Sequence, residues 1–122
     1  DATVIGAIQV SERGDLANWA LPGKGVLGPG GAMDLVVGVK DVIVATQHVA
    51  NNGKHKLVEN CTVPITGLEV VNTLVTEFAV FKFMNKEMIL VEHSSDVTLD
   101  DIKAMTSAKY TVANDVKAWE VD

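Results

Sequence analysis

The chain has 122 residues, of which 48% are hydrophobic, and a formal net charge of −6. This length and composition predict one folded domain over residues 1–122 and exclude an intrinsically disordered chain. An acidic chain without a basic stripe does not fit nucleic-acid binding, and no apolar run approaches the roughly 18 residues that a membrane helix needs. The one cysteine, Cys61, excludes an internal disulfide and fits a reducing compartment.

The first part of the chain predicts two buried strands separated by a long loop region. Residues 2–10 are apolar on both alternations, the pattern of a strand covered on two faces. Residues 41–46 form a second, shorter run of the same kind. The remaining elements predicted here are a polar turn at 11–15, a loop at 16–24, a short helix at 34–40 and a polar loop at 47–56.

The second part predicts two helices and a β-hairpin. Thr66 and Glu69 have the spacing of a capping box, and apolar residues then recur at helical spacing, which predicts an amphipathic helix over 67–77. Thr98 and Asp101 repeat the capping pattern before a second helix. The other predictions are a hairpin from 79–83 and 88–92, a buried stripe of Leu99, Ile102 and Met105 on the second helix, a final strand at 110–113 and a loose tail at 115–122.

This alternation of strands and helices predicts an α/β fold, an open and mostly parallel sheet with flanking helices plus a β-hairpin. The chain has no initiator methionine and its first predicted strand begins at the first residues, so we expect it to be a piece of a longer protein.

The glycine-rich segment 25–34 carries the most chemistry. Its glycines precede an apolar run beginning at Leu35 that predicts the start of a helix. Clustered glycines allow close approach of a ligand, and a turn that opens a helix leaves backbone N–H groups free for a phosphate, a carboxylate or an oxyanion. A purely structural turn is the alternative.

Five ordered blocks of sequence give this segment a context. With these blocks the chain closely resembles the β subunit of the family I coenzyme A transferases, which act on 3-oxoacids, acetoacetate or 3-oxoadipate. The similarity extends from Asp1 to about Val116. The blocks are Gly14-Asp-Leu-Ala-Asn-Trp19 with Pro22-Gly-Lys24, Gly30-Gly-Ala-Met-Asp-Leu35, Cys61-Thr-Val-Pro-Ile-Thr-Gly67, Leu74-Val-Thr-Glu-Phe-Ala-Val-Phe81 and Val97-Thr-Leu-Asp-Asp-Ile-Lys103.

The resemblance implies a CoA-transferase β-subunit fold, present in part, and transfer of CoA from succinyl-CoA or acetyl-CoA to a 3-oxo acid such as acetoacetate. In this family a glutamate in a Ser-Glu-Asn-Gly motif attacks the thioester and a glutamyl-CoA thioester forms. That motif is absent from the 122 residues. We therefore expect this C-terminal portion of a β subunit to be inactive alone, with the glutamate in the missing upstream part.

The same resemblance suggests site residues. The backbone N–H of Gly31 matches an oxyanion-hole donor, with Gly28 and Gly30 shaping the turn. Asn18 and Trp19 are candidates for the substrate and CoA pocket, and Lys24 for a phosphate or carboxylate. The alternatives are structural: a buried tryptophan with a loop-satisfying asparagine, and a solvated lysine.

Two positions depart from the family pattern. Pro29 stands where the family commonly has methionine. Proline has no backbone N–H, but the donor assigned at Gly31 lies two residues further on. Gln47 stands before His48 where relatives usually have glutamate, which weakens a role for that pair.

Other candidate groups are given structural interpretations. Cys61 is expected to be a small packing residue, and the basic cluster Lys54-His55-Lys56 a solvated loop. The histidines His48, His55 and His93 lack metal-ligand spacing, so no metal is predicted, and no cofactor beyond CoA thioester substrates.

The implied partners are acyl-CoA, a carboxylic acid and an α subunit, separate or fused, in a hetero- or homo-oligomer. No nucleic acid or membrane is expected as a partner. The compartment would be the bacterial cytoplasm, or the mitochondrial matrix in a eukaryote. The alternative function is a non-catalytic α/β module that binds an anion or packs against a partner.

Overall fold

A computed structural model describes residues 2–17 and 41–120, and within these ranges the chain forms two sheets and one helix. The larger sheet has six strands in the order β1-β4-β6-β7-β8-β9, and a smaller sheet has the order β3-β2-β5. The strands are β1 Ala2–Ile5, β2 Gln9–Ser11, β3 Leu16–Ala17, β4 Asp41–Ala45, β5 Leu57–Val58, β6 Thr73–Val75, β7 Ala79–Met84, β8 Glu87–Ser94 and β9 Thr111–Trp119, and the helix α1 is Leu99–Ala104.

Parallel and antiparallel pairing divide the larger sheet. Strands β1, β4 and β6 run parallel, β6, β7 and β8 are joined antiparallel, and β9 returns parallel to β8. In the smaller sheet β2 pairs antiparallel with β3 and parallel with β5. The predicted α/β class and the hairpin are confirmed, whereas the larger sheet is mixed, with three parallel and two antiparallel strand pairs.

The core lies where the two sheets and α1 meet. Its fully buried side chains come from both sheets and from the helix, so one apolar cluster unites them. The largest of them are Phe81, Leu16, Leu57, Leu74, Met88, Leu90 and Ile102.

The first predicted strand is two strands. Residues 2–10 divide around Gly6 into β1, in the larger sheet, and β2, in the smaller one. Val4 is 64% exposed, so the expected cover on both faces is also wrong at that position. An apolar run in the sequence predicts that a segment is buried, but it does not predict which sheet the segment joins.

The helix predicted over 67–77 is wrong. Glu69 has φ +50°, which a right-handed helix cannot contain. The backbone N–H of Asn72 donates to the Val42 carbonyl at 2.9 Å, and the Asn72 Oδ1 accepts from the Val42 N–H at 2.7 Å. These bonds lead the chain into β6, between β4 and β7, where its β-branched residues suit a strand.

The hairpin and the second helix are confirmed. The turn between β7 and β8 places Asn85 and Lys86 at φ +53° and +64°. Thr98 caps α1 through a reciprocal box with Asp101. Of the predicted buried stripe, Ile102 is fully buried and Met105 partly, while Leu99 is 41% exposed because α1 is short and presents only one face to the core.

The prediction of a loose tail at 115–122 is wrong for the residues up to Trp119, which belong to a strand. Strand β9 extends to Trp119, with Lys117, Ala118 and Trp119 opposite Glu92, His93 and Ser94 of β8. The strand at 41–46 and the loop at 47–56 are confirmed, and the helix predicted at 34–40 lies outside the described residues. In the described ranges no helix has the length and apolar character needed to cross a membrane.

Candidate functional site

The site residues predicted from the sequence all fall in one segment, residues 18–40, which is outside the described residues. The structure shows the elements on either side of that segment, β3 before it and β4 after it. The site can therefore be built from what holds β3 in place and from the groups that surround it. The residues concerned are Asn18, Trp19, Lys24, Gly28, Gly30 and Gly31.

A buried carboxylate fixes the chain just before this segment. Asp15 is 2% exposed. Its Oδ1 accepts a hydrogen bond from the Glu69 N–H at 2.9 Å, and its Oδ2 lies 3.0 Å from the Arg13 Nη2. Arg13 also donates to the Asn60 Oδ1 at 2.9 Å. A charge-assisted bond to a buried backbone N–H is among the stronger polar interactions in a protein.

Backbone hydrogen bonds extend this clamp on both sides of Asp15. The Gly14 carbonyl accepts from the N–H groups of Val70 and Val71, at 3.0 and 3.1 Å. Leu16 donates to the Gly67 carbonyl at 2.7 Å and accepts from the Gly67 N–H at 3.1 Å. We use the name Asp15 clamp for the contacts of residues 13–16 with residues 60–71.

Gly14 allows the clamp to close. Its φ is +87°, a conformation that side chains disfavour, and a Cβ there would lie 3.2 Å from the Val71 carbonyl oxygen. The clamp thus joins two sequence blocks that the resemblance singled out separately, the one beginning at Gly14 and the one ending at Gly67. Sequence reasoning gave Asp15 no role, although an acid between a glycine and two buried residues is a signal for a paired, buried carboxylate.

Cys61 lies against the clamp as an unreactive group. Its Sγ is 3.9 Å from the Asp15 carbonyl oxygen. Burial raises the pKa of the thiol to about 11, and the negative charge of Asp15 adds to this effect. The thiol is protonated at neutral pH, which supports the packing role expected from the sequence.

His48 is fully buried between β4, β6 and α1, and both of its ring nitrogens are bonded. Nε2 lies 2.8 Å from the Thr106 Oγ1, and Nδ1 lies 2.9 Å from the Thr76 Oγ1. The His48 N–H donates to the Glu77 Oε1 at 2.8 Å. This histidine connects the loop after β4, the turn between β6 and β7, and the end of α1.

The hydrogen-bond network fixes the tautomer of His48. The Thr106 hydroxyl donates to the Ile102 carbonyl at 2.7 Å, so it accepts at the ring and Nε2 carries the proton. Nδ1 then accepts from the hydroxyl of Thr76, whose oxygen receives the N–H groups of Phe78 and Ala79. A second ring proton would displace that hydroxyl proton toward the Ala79 carbonyl, 3.4 Å away.

Burial also disfavours the charged imidazole. It lowers the pKa of His48 to about 4, with a further lowering by His55 and an opposing effect of the Glu77 carboxylate. With both nitrogens occupied and no exposed surface, His48 has a structural role. The Gln47–His48 pair gains no catalytic function from this geometry.

Two open cavities lie on the surface near these elements. One, of about 240 Å³, has both cations and carboxylates in its wall: Arg13, Lys86 and Lys109 with Glu12 and Glu87. The other, of about 210 Å³, is lined by Ile8, Gln9, Ala50, Asn52, Lys54, His55, Lys56, Thr62 and Val63. Within residues 2–17 and 41–120, no three His, Cys, Asp or Glu side chains gather as a metal site would require.

We expect Asp15→Asn to lower the free energy of unfolding by about 1–3 kcal/mol, because a buried acceptor of a backbone N–H is weakened and an amide then faces Arg13. Arg13→Gln should cost only about 0–1 kcal/mol, since the Arg13 side chain is 45% exposed and its ion pair is screened. Chemical denaturation of the two variants measures both values. Equal losses would mean that the ion pair, and not the buried hydrogen bond, carries the clamp.

We expect the chain to lose stability as the pH falls from about 6.5 to about 4. The unfolded chain binds a proton at His48 near the ordinary pKa of 6.5, whereas the folded chain binds it only near 4. The contribution of His48 to the free energy of unfolding is therefore fully present above pH 6.5, the pKa in the unfolded chain. Up to about 3 kcal/mol of it is lost when the pH has fallen to about 4, the pKa in the folded chain. The measurement is the free energy of unfolding against pH for the native chain and for His48→Gln.

His48→Gln should be less stable at pH 7.5, with a difference from the native chain that shrinks toward pH 4. His93→Gln, outside the network, is the matched control. A difference independent of pH would contradict the neutral, buried imidazole.

Comparison with known proteins gives the family. A sequence model described as coenzyme A transferase matches residues 1–105. The acetate CoA-transferase β subunit of Haemophilus influenzae is 46% identical over 121 residues, covering 99% of this chain and 54% of the relative. The β subunit of the same name from Escherichia coli K12 is 45% identical over 122 residues, covering 100% of this chain and 56% of the relative.

A relative with a different named activity is equally similar. One of the subunits of the succinyl-CoA:3-ketoacid coenzyme A transferase of Helicobacter pylori is 46% identical over 112 residues, covering 92% of this chain and 54% of the relative. The chain spans about half the length of these three curated relatives.

The fold agrees with this assignment. The crystal structure of the acyl-CoA transferase YdiF from Escherichia coli O157:H7 superposes with a TM-score of 0.81 at 19% identity, covering 100% of this chain and 28% of that one. At that identity the likeness shows the fold, and it confirms the predicted CoA-transferase architecture. Since the family match covers most of the chain and close relatives are β subunits, this protein belongs to the coenzyme A transferase family, as a part of its β subunit.

Proposed function

We propose that the chain supplies the oxyanion loop and a pocket wall to an enzyme that moves CoA from succinyl-CoA or acetyl-CoA to a 3-oxo acid such as acetoacetate. The match to bacterial CoA-transferase subunits over nearly the whole chain is the observation that carries this proposal. The glutamate nucleophile lies outside the 122 residues, so the chain alone is inactive. The complete enzyme includes an α subunit, separate or fused, and acts in the bacterial cytoplasm or the mitochondrial matrix.

The proposed chemistry alternates two covalent states of the glutamate. Its carboxylate oxygen attacks the thioester carbonyl, the C–S bond breaks, and CoA leaves as a thiolate from an acyl–glutamyl anhydride. The thiolate then attacks the glutamyl carbonyl and releases the donor carboxylate, which leaves a glutamyl-CoA thioester. The acceptor carboxylate repeats the sequence in reverse, so that no electrons are gained or lost.

Each attack places negative charge on a carbonyl oxygen, and we assign the N–H of Gly31 to receive it. A backbone donor on a glycine needs no side-chain ordering and leaves room for the thioester. Gly28 and Gly30 would shape the turn, while Asn18, Trp19 and Lys24 would contact the substrate or CoA. The Asp15 clamp fixes the chain up to Leu16, and Ala17 accepts from the Ile8 N–H at 2.8 Å, so the segment that begins at Asn18 starts from an anchored strand.

Covalent trapping tests the proposed reaction. The full-length protein, paired with its α subunit, is incubated with acetoacetyl-CoA and then treated with borohydride or hydroxylamine. We expect mass spectrometry to find one modified glutamate, in a Ser-Glu-Asn-Gly motif, and none without acyl-CoA. Failure to trap any glutamate would favour the non-catalytic module, and modification of a glutamate within these 122 residues would overturn the assignment of the nucleophile.

Substitution of Gly31 tests the donor. We expect Gly31→Ala to lower kcat by about 100-fold or more, the typical loss for an oxyanion-hole donor, with a much smaller loss of stability. Gly6→Ala is the control, because a Cβ at Gly6 meets only the Ala45 carbonyl oxygen at 3.9 Å. Losses of activity and stability in proportion would show that Gly31 is only a structural glycine.

A further inference from the structure

We propose that the cavity lined by Lys54, His55 and Lys56 binds the phosphate groups at the nucleotide end of CoA. This inference rests on the proposed function, because it names where one part of that substrate is held. The sequence alone gave these three residues only the interpretation of a solvated loop. We call the cavity of about 210 Å³ that contains them the basic cavity.

Among the described residues, the wall of the basic cavity contains lysines and no carboxylate. Two lysines and a histidine line it, in a chain whose net charge is −6. Within residues 2–17 and 41–120 the ion pairs are Arg13–Asp15 and Lys86–Glu69, so neither Lys54 nor Lys56 has a carboxylate within 4.0 Å. Positive charge that forms no close ion pair, placed in a concave surface, favours an anionic ligand.

The larger cavity lacks this property. Its cations face Glu12 and Glu87, and Arg13 already binds Asp15 and Asn60. Lys109 lies beside Glu12, which accepts its backbone N–H at 2.7 Å. The described wall of that cavity carries three cations and two carboxylates, so an anion would have to compete with carboxylates.

Local structure holds the basic cavity in shape. The Lys56 carbonyl accepts from the Val10 N–H at 2.9 Å, which ties this residue to β2. The His55 Nδ1 lies 2.7 Å from the Ser107 Oγ. Opposite them, Gln9 and Thr62 bond to each other twice, at 2.8 and 2.7 Å. The cations thus stand on anchored backbone.

Lys56 is half-buried, and a bound anion would neutralise the charge of its ammonium group. Burial lowers its pKa, an effect opposed by the charge of Glu77. One oxygen of Glu77 accepts the His48 N–H. A phosphate would favour the charged lysine without displacing any ion pair of the described residues.

The position of the cavity fits CoA. Gln9 in its wall is paired with Ala17, the last described residue before the segment that carries Asn18 and Gly31. Ile8, Ala50 and Val63 give the same wall an apolar part, which suits an adenine ring beside its phosphates. CoA carries an adenine ring beside its phosphates, and this wall offers an apolar part beside two lysines.

Direct binding tests the proposal independently of catalysis. The probes are CoA, adenosine 3′,5′-bisphosphate and inorganic phosphate, titrated calorimetrically into the full-length protein with its α subunit. We expect the double variant K54Q/K56Q to weaken the binding of CoA and of the bisphosphate by about tenfold, since one exposed and one half-buried charge contact together contribute roughly that factor. The loss should shrink at high salt. The control K103Q/K117Q removes the same charge elsewhere and should change neither affinity.

Steady-state kinetics adds a second readout. K54Q/K56Q should raise KM for acetoacetyl-CoA with kcat unchanged, and should leave acetoacetyl-pantetheine, which has no phosphates, unaffected. Equal CoA affinity in the two double variants would overturn the inference. Weaker phosphate binding with unchanged CoA affinity would also overturn it, because the cavity would then hold a free anion. If no glutamate is trapped but binding of the bisphosphate still depends on Lys54 and Lys56, the proposed reaction is wrong and the proposed phosphate site is supported.

Discussion

The hydrogen bond from the Glu69 N–H to the buried Asp15 carboxylate is the contact on which the arrangement of this chain depends. It holds Glu69 at φ +50°, where an ordinary side chain needs external support. That conformation turns the chain away from a helix and toward β6. At the same time the carboxylate fixes β3, so one interaction sets both the path of the sheet and the origin of the segment in which the reaction chemistry is proposed.

His48 performs a comparable task in the core, but as a neutral group. A charged residue there would require a buried counterion, whereas a neutral imidazole can donate to one threonine and accept from another. The three elements it joins are far apart in sequence: the turn between β6 and β7 supplies Thr76 and Glu77, and the end of α1 supplies Thr106. Such a network stabilises one arrangement of the layers because every member is satisfied only in that arrangement.

Charge is distributed unevenly among the described residues of this acidic chain, and some cations are paired with carboxylates while others are not. Arg13 is used by the clamp, and Lys86 and Lys109 stand beside carboxylates. Among the described residues, Lys54 and Lys56 form no ion pair, although the more distant carboxylate of Glu77 acts on Lys56. A count of charges in the sequence hides this difference, because the carboxylates that neutralise a cation are supplied by other elements of the fold.

The sequence by itself determined the strand at 41–46, the hairpin, the capped helix α1 and the family, since each depends on local spacing or on ordered motifs. Tertiary structure alone decided that 2–10 is two strands, that 67–77 is no helix, and that Asp15 has partners in Arg13 and Glu69. Residues 67–77 carry a capping pattern and helical spacing, yet bonds from Asn72 to Val42 and from Glu69 to Asp15 outweigh them. Helical spacing contributes a few tenths of a kcal/mol per residue pair, whereas leaving those part-buried polar groups unbonded would cost about 1 kcal/mol or more each.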